Sequence, residues 1–257
     1  LDINEPDEIT GSASVIEEIK CYGGTATVQI TRSGGTAPLS YTFNGVTNNT
    51  GIFPAIAAGT AYTWSITDEG NCGPVTGVLD VLQPPLLMAT ASVSTPVPCS
   101  GGTATVTITA SGGTQPLSFT LNGVTNRTGI FTGIAAGSDY PWSVNDAASC
   151  SPVTGTFTVS DPLVISGSAM ISNPVPCKGG TATVTITGTG GTKPYSFTFN
   201  GSTNTTGIFN DIIAGTAYTW LINDINGCVP ATGTIDVPEP DIITGSATIT
   251  DPIVCYG

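Results

Sequence analysis

The sequence predicts an all-β chain of tandem small sandwiches, and three observations carry that reading. The 257 residues hold 33 Gly and 19 Pro but only 9% charged residues, and Thr is abundant, a composition that suits turns and strands rather than helices. The cysteines at 21, 99, 177 and 255 are spaced by 78 residues, as are those at 72, 150 and 228, so the chain is three copies of one unit plus remainders. Within a copy, Ala26, Val28 and Ile30 alternate with Thr25, Thr27, Gln29 and Thr31, the period of a strand with one buried face.

The copies are close. GGTATV recurs at 23–28, 101–106 and 179–184, and TGIF at 50–53, 128–131 and 206–209. LDINEP at the start matches LDVLQP at 79–84 and IDVPEP at 235–240. The expected division is the end of a preceding repeat at 1–6, repeats at 7–84, 85–162 and 163–240, and the start of a further repeat at 241–257. The chain is expected to be a window of a longer array. It has no initiator Met, no leader pattern and no apolar run long enough to cross a membrane.

In the first repeat an opening strand is expected around Ile9 to Ile16, followed by the alternating run from Ala26. Ser33-Gly34-Gly35-Thr36 then breaks the chain before Leu39, Tyr41 and Phe43 resume the alternation. Asn44-Gly45 accepts the positive φ angles of a two-residue hairpin. A third strand runs through Gly51 to Ile56, and Ala58-Gly59-Thr60 turns into Tyr62, Trp64 and Ile66 on one face. A last strand near Gly77 to Leu82 ends at Pro84. Six or seven strands in this length fit an immunoglobulin-like or fibronectin-like sandwich, repeated in an extended array. Tyr62, Tyr140 and Tyr218 stand where such sandwiches tie a corner through a Tyr hydroxyl. Trp64, Trp142 and Trp220 follow two residues later and are assigned to the core rather than to sugar stacking. Pro141 falls inside that strand, where a bulge or an unpaired backbone position is expected.

Several function classes fall away. A net charge of −13 leaves no basic surface for nucleic acid or anionic membranes. No His is present, which removes the usual general base and the commonest zinc ligand. Glu17 and Glu18 occur only in the first copy, Asp68 lacks a repeated acidic partner, and no GxSxG, HExxH or phosphate loop appears, so no enzyme is expected.

The unit resembles the SprB repeat of giant surface adhesins from gliding Bacteroidetes. The likeness rests on the CxGG start at Cys21, Cys99 and Cys177 and on the GG-T-x-P stretch ending at Pro38, Pro116 and Pro194. The NG turn, the AG-T-x-Y segment and the D-x-x-x-C end, clearest as Asp224-Ile225-Asn226-Gly227-Cys228, complete it. The resemblance implies a secreted, tandemly repeated cell-surface protein, exported by the type IX system and linked to adhesion or gliding. Its expected partners are neighbouring repeats, further copies of itself, and surfaces or polysaccharide. A structural fibre or sheath is the alternative.

Seven cysteines in an acidic, turn-rich chain point to an oxidising, extracytoplasmic setting. Two pairings are open. The favoured one closes each repeat on itself, Cys21–Cys72, Cys99–Cys150 and Cys177–Cys228, with Cys255 paired outside the fragment, because small domains normally staple themselves. The rival joins neighbours, Cys72–Cys99, Cys150–Cys177 and Cys228–Cys255. Without CxxC pairs or His a metal role for them is poor. No cofactor is expected. Calcium is the one weighed, with Asp68, Asp146 and Asp224 as weak candidates, although no DxDxDG loop is present. Asn48, Asn126 and Asn204 head sequons at one equivalent position and Asn200 heads another, so each marks an exposed turn that a suitably equipped host would glycosylate.

Overall fold

A computed structural model describes residues 7–70 and 73–251. In the first repeat the strands are β1 (Thr10–Glu17), β2 (Ala26–Ser33), β3 (Leu39–Phe43), β4 (Val46–Asn48), β5 (Ile52–Ile56), β6 (Gly59–Asp68) and β7 (Val75–Val81). The second holds β8 (Met88–Thr95), β9 (Thr103–Ser111), β10 (Ser118–Leu121), β11 (Val124–Asn126), β12 (Ile130–Ala135), β13 (Gly137–Asn145) and β14 (Val153–Val159). The third holds β15 (Ser166–Asn173), β16 (Thr181–Thr189), β17 (Ser196–Phe199), β18 (Ser202–Asn204), β19 (Ile208–Ile213), β20 (Gly215–Asn223) and β21 (Ala231–Val237). Among the described residues there is no helix.

Each set of seven forms two sheets, β1-β2-β5 and β4-β3-β6-β7 in the first repeat, with the same orders in the other two. The fold is an all-β sandwich of immunoglobulin-like class. The fourth strand pairs with the third, whereas in immunoglobulin constant domains it joins the first sheet. That short strand was not foreseen, and its cause is the turn. Asn44 and Gly45 have φ of 45° and 81°, so Phe43 faces Val46 across a two-residue loop. Asn122-Gly123 and Asn200-Gly201 repeat the geometry.

The inward residues of the alternating strands meet as expected. Val28, Phe43, Ile66 and Val81 are fully buried in the first repeat, and Val184, Phe199, Ile222 and Val237 at the same positions of the third. Trp64 and Trp220 lie in these cores, while Trp142 is only half-buried. A Cβ on Gly77 would stand 2.6 Å from the Trp64 indole, so the strand facing each tryptophan keeps a glycine to receive the ring. Tyr62 donates its hydroxyl to the carbonyl of Ala57 at 3.3 Å, and Tyr218 to that of Ile213 at 3.2 Å, closing the corner. Tyr140 is half-buried at the equivalent place.

The expected bulge exists, but Pro141 is not its cause. Ala61, Asp139 and Ala217 all have positive φ, so every repeat bulges just before its corner tyrosine, with or without the proline. The Pro141 carbonyl still accepts the Asn122 amide at 2.8 Å.

By compactness the chain falls into two units. One comprises Leu1–Ser94, Thr105–Thr132 and Asp139–Thr158, and the other Thr95–Ala104, Gly133–Ser138 and Val159–Gly257. The first contains the joint between the first two repeats. The second contains the third repeat together with the CxGG turn of the second.

Candidate functional site

The chemistry that recurs lies at the joints, where a turn and a loop are built by the same local rules in each copy. The turn is CxGG. Gly24 donates its amide to the Cys21 carbonyl at 2.9 Å, Gly102 to Cys99 at 2.8 Å and Gly180 to Cys177 at 2.9 Å. The preceding amide is capped from the last residues of the same repeat. Gly23 donates to Gln83 at 2.7 Å, Gly101 to Asp161 at 3.1 Å, and Gly179 to Glu239 at 2.9 Å. The capping residue changes identity, but each version offers a side-chain oxygen. This accounts for joint acids that vary between copies.

The loop is D-x-x-x-C. Asp146 accepts the amides of Thr114 and Cys150, each at 3.0 Å, and Asp224 those of Thr192 and Cys228 at the same distances. Both aspartates are buried, at 8% and 7% exposure. Backbone amides surround them, led by Thr114 for Asp146 and Cys228 for Asp224, and hold both carboxyls below their ordinary value. Asp68 accepts the Thr36 amide at 3.0 Å. Its other oxygen is buried without a described partner, at the position where the later copies receive a cysteine amide. The residue in that place here, Cys72, lies outside the described residues. The three calcium candidates therefore organise the loop by accepting N–H donors. No group of three or more His, Cys, Asp or Glu able to hold a metal occurs among the described residues.

Turn and loop are joined covalently, in a pairing that corrects the expected one. Cys21 is bonded to Cys150 and Cys99 to Cys228, in each case across 129 residues. The start of one repeat is thus fastened to the closing loop of the next. Neither of the weighed schemes contains these bonds. Cys177 is free and exposed, and Cys255 lies outside the described residues.

The physical reason for the correction is visible in the third repeat. Cys177 precedes β16, whereas Asp224 ties the Cys228 loop to Thr192 beyond that strand's far end. Nine residues of strand, at about 3.3 Å each, separate the two by far more than a disulfide spans. Self-closure is geometrically barred. A turn at one end of a sandwich reaches instead the loop at the opposite end of its neighbour.

The joints carry further contacts. Cys150 Sγ lies 3.5 Å from the Lys20 carbonyl oxygen, and Cys228 Sγ 3.4 Å from that of Pro98. Asn226 donates its side-chain amide to the same Pro98 oxygen at 2.9 Å. A cleft beside the first bridge is lined by Ile19, Lys20, Gln83, Pro84, Thr114 and Ala148. A smaller apolar one beside the second is lined by Cys99, Pro162, Leu163, Ile165, Cys228 and Val229.

The sequon asparagines stand in tight turns. Asn48 donates Nδ2 to the Ile52 carbonyl at 2.8 Å while its Oδ1 accepts the amides of Thr50 and Gly51 at 3.0 and 2.8 Å, and Asn126 and Asn204 make the same set. Asn200 is exposed in its hairpin turn.

The family model described as the SprB repeat matches residues 91–126, which include the Cys99 turn, Pro116 and the Asn122-Gly123 hairpin. Over those residues the chain is similar to the SprB repeat, the family its motifs resemble. No curated protein matches in sequence. Among solved structures, FdeC, an Escherichia coli adhesin, is 17% identical over 91% of this chain and 99% of its own, with a TM-score of 0.33. The ectodomain of mouse nectin-like molecule 4 is 10% identical over 92% and 96%, with a TM-score of 0.32. The I9–I11 tandem from titin is 14% identical over 89% and 100%, with a TM-score of 0.31. At such scores nothing about partners passes from them to this chain.

Proposed function

We propose that this chain is a stalk segment of a secreted, cell-surface adhesin, in which the repeats bear load and present a binding region away from the cell. The observation that carries the reading is the bond from one repeat's first turn to the next repeat's last loop. A repeat evolved only to fold would gain as much from an internal staple, whereas a bond across a joint restrains neighbours from separating. The SprB match and the disulfides support an extracellular site, since such bonds persist in oxidising compartments. No described helix is long and apolar enough to cross a membrane. Export by the type IX system and a part in gliding belong to the same proposal.

The test is live imaging of producing cells with a fluorescent antibody fragment against the repeat. Label that travels over the cell surface supports a moving adhesin. Label on stationary or shed filaments favours a structural fibre, and label seen only after permeabilisation overturns an extracellular role.

A further inference from the structure

We propose that the cleft beside the Cys21–Cys150 bridge is a docking site for an extended, basic and apolar peptide segment of another protein. The proposal goes beyond the stalk reading and stands whether the repeats adhere or only bear load.

The three repeats are near copies, yet the first departs from the others at one place. Ile16-Glu17-Glu18 stands where the later repeats have Ser94-Thr95-Pro96 and Ser172-Asn173-Pro174, and Leu82 where they have Ser160 and Pro238. Folding does not require the change, since the later copies build the same seven strands without it. All four residues line one cleft of about 1020 Å³, between the end of β1 and the end of β7, within the compact unit that holds the first joint. Its apolar walls are open to solvent, Ile16 at 48% exposure and Leu82 at 75%, so a ligand gains by covering them. Its charge is negative: Glu17, Glu18 and Asp80 set three carboxylates against the one amine of Lys20. No ion pair among the described residues involves them. Glu17 accepts the Thr27 hydroxyl at 2.6 Å and Asp80 the Ala61 amide at 2.7 Å, each through one oxygen, which fixes the carboxylates and leaves the second oxygen to a cation.

The backbone differs as well. Glu18 and Lys20 carry N–H donors where Pro96, Pro98, Pro174 and Pro176 have none. β1 is an edge strand of its sheet, and prolines just past an edge strand guard against pairing with another chain. Of the three repeats the first lacks that guard. An extended segment with lysine or arginine beside aliphatic side chains meets all of these features. Its apolar groups and stems cover Ile16 and Leu82, its charged heads reach the carboxylates, and its carbonyls accept the two amides. A metal ion fits less well, because the carboxylates are not gathered into a chelating group. A second copy of this chain is opposed by charge, since each copy stands at −13 with 5 cationic side chains.

The probe is a fluorescein-labelled octapeptide of alternating valine and lysine, capped at both ends, and its anisotropy is read against the intact oxidised chain. Saturable binding is expected, lost when glutamate replaces lysine in the peptide. Glu17→Gln/Glu18→Gln and Leu82→Ser should each weaken it about tenfold, and Lys20→Gln, which removes the one opposing charge, should tighten it. The replaced side chains are exposed, so each variant should keep the parent's thermal midpoint. A photoreactive form of the peptide should attach within residues 15–20 or 80–84. No saturable binding, equal binding of the glutamate peptide, an affinity unmoved by these variants, or attachment elsewhere overturns the proposal. So does self-association of the parent chain that Leu82→Ser abolishes, which would assign the cleft to a second copy.

Discussion

Asn226 donates its side-chain amide to the carbonyl of Pro98, 128 residues earlier, at 2.9 Å. The Cys99–Cys228 bridge thus has a polar companion. The preceding joint lacks it, since Ala148 stands at the place of Asn226. The two joints should differ once their bridges are reduced. We expect the amides of the 99–102 turn to keep more hydrogen-exchange protection than those of the 21–24 turn, and Asn226→Ala to erase the difference at a cost of about 1 kcal/mol.

Breaking the first bridge should loosen both repeats that it links. Closing a loop of 129 residues is worth about 5 kcal/mol in the chain-entropy account. Cys150→Ser is therefore expected to lower the thermal midpoint by several degrees. Reductant should lower the parent chain at least as far, because it opens both bridges. A midpoint unmoved by either treatment would show that the bridges carry no stability.

Gly77 faces Trp64 across the β6–β7 ladder, and a Cβ there would lie 2.6 Å from the indole. Gly77→Ala should force the ring from its seat and cost roughly 1–3 kcal/mol. The measurable sign is red-shifted tryptophan emission together with a lower denaturant midpoint. Val78→Ala, at the exposed neighbouring position, should change neither.

Asp146 and Asp224 set a direction for acid sensitivity. Their folded-state carboxyls lie below the ordinary value of 3.8, held there chiefly by backbone amides, so the unfolded chain binds protons more readily. Their contribution is fully present above that value and is lost as pH falls through the depressed folded values. Stability measured by denaturant should therefore be level in this respect near neutrality and fall below about pH 4. Asp146→Asn should be less stable at neutral pH and show a shallower acid slope.

Much of the fold could be read from local pattern. The alternation from Ala26, the Asn-Gly hairpins and the corner tyrosines each depend on residues close in sequence, and each stands where it was expected. The strand at Val46 was missed because three residues carry too little alternation to register, although the turn before it forces them to pair. The cysteine pairing failed for a different reason. Spacing gives the distance along the chain between Cys177 and Cys228 but not that a strand of nine residues keeps them at opposite ends of one sandwich. The carboxylates of Asp68, Asp146 and Asp224 drew attention as a recurring set, yet whether donors or acceptors surround them was invisible until the loops were folded.

The interlaced bridges also set how far this protein can be drawn out. A pull entering at Cys21 crosses to Cys150, runs back along the chain to Cys99, and crosses again to Cys228. From Cys21 to Cys228 this path uses only the 51 residues between Cys99 and Cys150, in place of the 207 of the open chain. At about 3.5 Å per extended residue, the reach across that span falls from roughly 720 Å to roughly 180 Å. Single-molecule pulling should therefore find the oxidised chain stopping about three quarters short of the reduced one over that span, a tether that stiffens while a slack length of polypeptide still lies unused beside the taut path.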